Sequence, residues 1–152
     1  MIAWCKSLLC RFGLIFSGFR AGGERDDLDP EIREVFFAEL SDLTQSLNRA
    51  FAIWRVNPAD QAALQTLRRG FHTLKGSGPI VGAHALGDFC GHIEQLTVRL
   101  IERHLTVTPD LITTIEQAIA LLPAFEKAVR HAQPPPAQAR AIGSKAQRLL
   151  GS

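Results

Sequence analysis

The sequence predicts an all-α protein, an antiparallel up-and-down four-helix bundle with a tail at each end, on three observations. Apolar residues recur at three- and four-residue spacing along four separate stretches. No stretch shows the strict apolar–polar alternation of a strand. Proline, glycine and capping residues fall between the four stretches and leave short links, which set successive helices antiparallel.

The first helix starts at Asp29-Pro30-Glu31, which supplies a cap acceptor, a proline at the first helical position and an acid in the first turn. Ile32, Phe36, Leu40, Leu43, Leu47, Ala50 and Trp54 form its apolar stripe, so it should span about 30–54 and stop near Asn57-Pro58. The second, about 59–77, carries Leu64, Leu67, Phe71 and Leu74. It should end at the cluster Gly76, Gly78, Pro79 and Gly82, because proline lacks a donor and glycine permits the turn. Leu86, Phe89, Cys90, Ile93, Leu96 and Leu100 predict a third helix over about 84–104. Thr108-Pro109-Asp110 repeats the cap-and-proline start. Leu111, Ile115, Ile119, Leu122, Phe125 and Val129 then mark a fourth helix, about 109–129, which Pro123 should kink or end early. Pro134-Pro135-Pro136 reads as a stiff extended spacer, and the Ala-rich basic tail beyond it as a marginal helix at best. The domain division is therefore 1–27 as an N-terminal tail or amphipathic segment, 28–132 as the bundle and 133–152 as spacer and tail.

The composition allows a real core, with 46% of the 152 residues apolar and 21% charged. A net charge of +2 gives no reason to expect a nucleic-acid partner. Three cysteines, an odd number at irregular spacing, make no disulfide framework, and a reducing cytoplasm fits them. Near the N-terminus Arg11 splits the apolar run, so neither a signal peptide nor a membrane span of about 20 residues is indicated. Trp4, Leu8, Phe12, Ile15, Phe16 and Phe19 still recur at helical spacing. Residues 1–19 therefore read as a helix that touches a membrane surface or a partner, or as a linker remnant or mis-assigned start.

The chemistry concentrates in Arg68-Arg69-Gly70-Phe71-His72-Thr73-Leu74-Lys75-Gly76. Residues three and four apart on a helix are surface neighbours, so His72, Lys75 and Gly76 share a patch with Arg68 and Arg69 one turn earlier. Imidazole titrates near 6.5 and is mostly a neutral nucleophile at pH 7, able to take a phosphoryl group as a phosphoramidate. A cation beside it offsets the added charge of about −2, and a residue without a side chain lets a partner's active site close over the ring. An isolated His-x-x-Lys-Gly is short, and by itself it fits a solvated histidine near a helix C-terminus better than a phosphoryl acceptor. Lys75-Gly76-Ser77-Gly78 lacks the Gly-Lys-Ser/Thr order of a phosphate loop. Cys90 and His92, two apart, face different ways and share no metal. Glu94 lies where a carboxylate on the third helix could hold one imidazole nitrogen, although its spacing suits a solvated acid equally well.

The run F-H-T-L-K-G-S-G-P-I-V-G-A-H-A-L-G-D-F-C-G-H-I-E-Q-L resembles the histidine phosphotransfer (HPt) domain, nearest to versions in chemotaxis-type and pilus-motility hybrid histidine kinases. The resemblance rests on His72, Thr73, Lys75, Gly76 and Ser77, then Gly82, Leu86 and Glu94, with Leu28 to Phe36 similar to the opening helix of kinase-linked members; it covers about 28–129. It implies a four-helix bundle in which His72 is the phosphorylation site and Lys75 its charge partner. It likewise implies that Gly76 admits the response regulator and that Glu94 bonds the imidazole. Two departures stand out. Pro79 replaces a residue that is more often basic in motility-type members, which should shorten the helix, and Gly70 weakens the helix by roughly 1 kcal/mol relative to alanine.

The resulting expectation is a phosphoryl carrier of a two-component phosphorelay, not an enzyme by itself, since no nucleotide motif is visible. Its partners would be a response-regulator receiver domain, which supplies Mg²⁺ so that this chain needs no cofactor, and a sensor or hybrid histidine kinase. Arg68, Arg69 and Lys75 would give the docking face its charge, and Gly76, Pro79 and Ile80, with Val81, its rim, while the tail after Pro136 would take no part. The alternatives are a detached phosphoacceptor domain of a chemotaxis-type kinase, phosphorylated in trans from ATP, or a helical scaffold that carries no phosphate.

Overall fold

The computed structural model describes residues 29–151, all of whose regular structure is helical. The expectations for residues 1–27, including membrane contact by 1–19, lie outside the described residues. The helices are α1 (Pro30–Val56), α2 (Gln61–Ile80), α3 (His84–Ile101), α4 (Pro109–Arg130) and α5 (Gln138–Gly151).

Three helix starts follow from side-chain caps. Asp29 accepts from the Glu31 amide at 2.9 Å, Asp60 from Ala63 at 2.9 Å and Thr108 from Leu111 at 3.2 Å. The start of α3 has no such cap. Here the chain turns through Gly82 at φ +77°, a conformation that favours glycine, and the Ala83 amide returns to the Gly78 carbonyl at 2.8 Å. The third helix ends at Ile101, short of the expected His104, because Arg103 adopts a left-handed φ of 60° and the His104 amide caps the Arg99 carbonyl.

Proline proves a weaker terminator than the sequence suggests. The second helix runs past Ser77 through Pro79 to Ile80, and the fourth continues through Pro123 to Arg130. Proline deletes one amide donor but does not forbid the next turn where packing supports it. At Pro79 the support comes from α3: a Cβ at Gly87 would lie 2.9 Å from the proline Cδ, so the bare glycine makes room for the ring. Gly78 lies similarly close, its would-be Cβ 2.9 Å from the Ala83 carbonyl oxygen, so small residues let α2 and α3 approach tightly. Gly70 has the same use against α1, since a Cβ there would come within 2.6 Å of the Leu47 side chain.

The core is the predicted one. Phe36, Leu67, Phe71, Phe89, Ile93 and Ile115 are all buried. The α1–α4 seam is stitched by Arg130, whose guanidinium lies 4.0 Å above the Phe37 ring, and by an Arg55–Glu116 pair at 3.2 Å.

The C-terminal segment departs from the expected tail. Residues 138–151 form a helix packed on both α3 and α4, with Ile142 and Ala146 buried. The Gln147 amide nitrogen lies 2.9 Å from His92 Nε2 on α3, and Lys145 lies 3.3 Å from Asp110 on α4. The backbones of α3 and α4 seldom approach closely, though the rings of Phe89 and Phe125 meet at 5.1 Å, and α5 packs against both helices. A chain cut after Pro136 should therefore be destabilised on the order of 2–4 kcal/mol, the apolar surface uncovered less the entropy regained. Urea unfolding checks this, and an unchanged midpoint would mean that α5 is dispensable to the fold.

Candidate functional site

Phe71, Leu67 and Leu74 are fully buried and fix the rotation of α2 about its axis. Each residue turns the helix by about 100°, so burial of Phe71 sends His72 outward. The His72 side chain is 62% exposed. On α3, Cys90, Ile93 and Thr97 are buried in the same way, and Glu94 comes to face α2 with its side chain 6% exposed.

A buried carboxylate needs partners for both oxygens, and Glu94 has them. Its Oε1 lies 2.6 Å from His72 Nδ1, and its Oε2 accepts from Lys75 Nζ at 3.0 Å. Burial pushes the Glu94 carboxyl up, but the hydrogen bonds and charge of Lys75 and His72 outweigh it and hold the group below the usual carboxylate range. Glu94 is therefore ionised and has no proton to give, so the short bond must be donated by the ring from Nδ1. That assignment leaves the lone pair on Nε2.

The other predicted residues fall around this triad. Gly76 opens to solvent, with nothing within 4 Å of where its Cβ would be. Arg69 is exposed and Arg68 half-buried, and neither guanidinium pairs with a carboxylate among the described residues. Pro79 is exposed and Ile80 half-buried, so both can border the patch, whereas Val81 is buried and cannot. Cys90 lies in the core and His92 against α5, so the two share no site. Among the described residues no group of three or more His, Cys, Asp or Glu is placed to hold a metal ion. Two features escaped the sequence reading: Gly91, which borders the Lys75 stem, and the bond of Lys75 to the same carboxylate as His72. Both are contacts between helices, and only the position of Glu94 hinted at them.

The stability of the fold should register the Glu94 arrangement. A carboxyl whose folded pKa lies below its ordinary 4.5 stabilises the fold above that value and loses the contribution as pH falls through the folded value. Glu39 acts in the opposite sense, because burial raises its pKa and acidification relieves its cost. Comparison with Glu94→Gln isolates the first effect. Between roughly pH 5 and pH 3 the parent should lose unfolding free energy more steeply than the variant, and parallel curves would count against the pairing.

A family model described as the Hpt domain matches residues 31–130, from the start of α1 to the last residue of α4. The sensor histidine kinase CheAY of Helicobacter pylori is 28% identical over 97 residues, which are 64% of this chain but only 12% of that protein's length. The crystal structure of the phosphorylated P1 domain of CheA3 in complex with CheY6 from R. sphaeroides matches with a TM-score of 0.71 over 80% of this chain and 96% of that one. Its sequence identity is 14%, so this is a likeness of fold.

Proposed function

The chain belongs to the Hpt domain family, and from that membership we propose that it carries a phosphoryl group on His72, exchanged with an aspartate of a response-regulator receiver domain. The observation that carries this reading is the exposed imidazole anchored at Nδ1 by a buried, ionised Glu94, with Nε2 free.

In the forward step the Nε2 lone pair attacks the phosphorus of an aspartyl phosphate. The N–P bond forms as the P–O bond to the aspartate breaks, and the aspartate leaves as carboxylate with the electron pair. The ring becomes an imidazolium whose Nδ1 proton stays in the bond to Glu94, and the carboxylate neutralises the new positive charge. Lys75, Arg68 and Arg69 place cations where the phosphoryl oxygens arrive. The same groups run the step in reverse when the phosphoryl leaves for another receiver. The receiver brings Mg²⁺ and its acidic pocket, so this chain acts as carrier and orienter.

The kinship to a sensor histidine kinase, of whose length this chain spans about an eighth, favours a second reading. In it the domain receives its phosphoryl from ATP through a kinase domain on another polypeptide. One experiment tests both. The protein is incubated with a phosphorylated receiver domain, or with a histidine kinase and ATP, and assayed for acid-labile, base-stable phosphate on His72. Label from the receiver supports the relay, label from kinase and ATP alone supports the second reading, and no label from either refutes both.

A further inference from the structure

Gly91 lies on α3, three residues before Glu94 and on the same face. Its backbone does not need glycine, since Gly82 alone among the described glycines has a positive φ. What borders it is the Lys75 side chain, which crosses from α2: a Cβ at position 91 would sit 3.5 Å from the lysine Cδ and 3.7 Å from its Cγ. The ammonium at the end of that stem reaches Glu94 Oε2 at 3.0 Å. A lysine 47% exposed would otherwise sample many rotamers.

We propose that Gly91 is a positioning residue: its lack of a side chain leaves clear the space over α3 that the Lys75 stem crosses, so that the ammonium rests on Glu94 beside His72. The ion pair with Glu94 then limits the rotamers of the stem before any partner arrives. One methyl group fits at ordinary contact distance. A longer side chain would occupy the space of the stem and lift the lysine off the carboxylate.

The role in transfer rests on the reading of His72 as phosphoryl acceptor; the geometric claim does not. Three variants test it: Gly91→Ala, Gly91→Leu and the reference Lys75→Met, each confirmed as folded by circular dichroism. The first readout is the Glu94 carboxyl titration by carbon-13 NMR, with no partner present. The parent and Gly91→Ala should titrate below the usual carboxylate range, whereas Gly91→Leu should move up to the Lys75→Met midpoint. The second readout is the transfer rate from a phosphorylated receiver, with Gly91→Leu/Lys75→Met added. The double variant should transfer no more slowly than Lys75→Met alone, because both substitutions remove one interaction.

A Gly91→Leu protein that keeps the low Glu94 midpoint overturns the proposal. So do rate losses that multiply in the double variant, which would mean that the leucine blocks docking directly. If the titration moves as expected while the parent itself takes no phosphoryl, the positioning role stands and the phosphotransfer reading fails.

Discussion

His72→Gln should take up no phosphoryl group from a receiver or a kinase and should fold as the parent does. Glutamine offers no nucleophilic nitrogen, because its amide lone pair is delocalised into the carbonyl. It does offer an N–H, and the position faces a carboxylate that needs one. Glutamine therefore removes the chemistry and keeps a donor for Glu94, so unfolding free energy should change by no more than about 1 kcal/mol. His72→Ala is the instructive contrast. It leaves Glu94 Oε1 without its partner in a nearly buried position, which should cost roughly 1–3 kcal/mol. Radiolabel transfer and urea unfolding on the two variants read both halves of the expectation. Residual label on His72→Gln would put the acceptor elsewhere.

Gly76→Arg should separate stability from function in the opposite direction. The position lies one turn from His72, and a Cβ there meets nothing in the isolated protein. The substitution replaces a poor helix former by a good one in the interior of α2, so the fold should gain up to about 1 kcal/mol. A receiver that closes over His72 would meet a long, charged side chain at that point. Transfer should fall by roughly 100-fold, about 2.8 kcal/mol at 1.4 kcal/mol per factor of ten. A more stable protein that transfers poorly is the signature of a docking surface. Parent-like rates would move the receiver to another face.

The parts of the molecule that local physics decides were legible in the sequence. The stripes of α1 to α4 each bury a broad apolar face, and the cap-and-proline signals of α1 and α4 mark the observed starts of those two helices. The seating of His72, Lys75 and Gly76 on one surface followed from helical spacing alone. Glu94 needed the family resemblance, because nothing local separates an acid that turns toward α2 from one that faces water. The fifth helix was hidden for a related reason. Its fourteen residues bury little of their own, chiefly Ile142 and Ala146, and depend on a surface of α3 and α4 that only the assembled bundle creates. Pro79 misled because the bare backbone of Gly87, which accommodates its ring, belongs to the next helix.

The short turn between α2 and α3 has a consequence for how the site assembles. His72, Lys75, Gly76, Gly91 and Glu94 all belong to one helical hairpin, closed by residues 81–83 around Gly82. The entropy of bringing two chain segments together rises with the logarithm of their separation, so a three-residue closure is among the easiest the chain makes. Contacts this local form early and rapidly in helical proteins. The α1–α4 seam, by contrast, joins residues as distant as Arg33 and Val129. The proposed phosphoryl-accepting geometry is thus contained in one local hairpin, which should order before the α1–α4 seam closes.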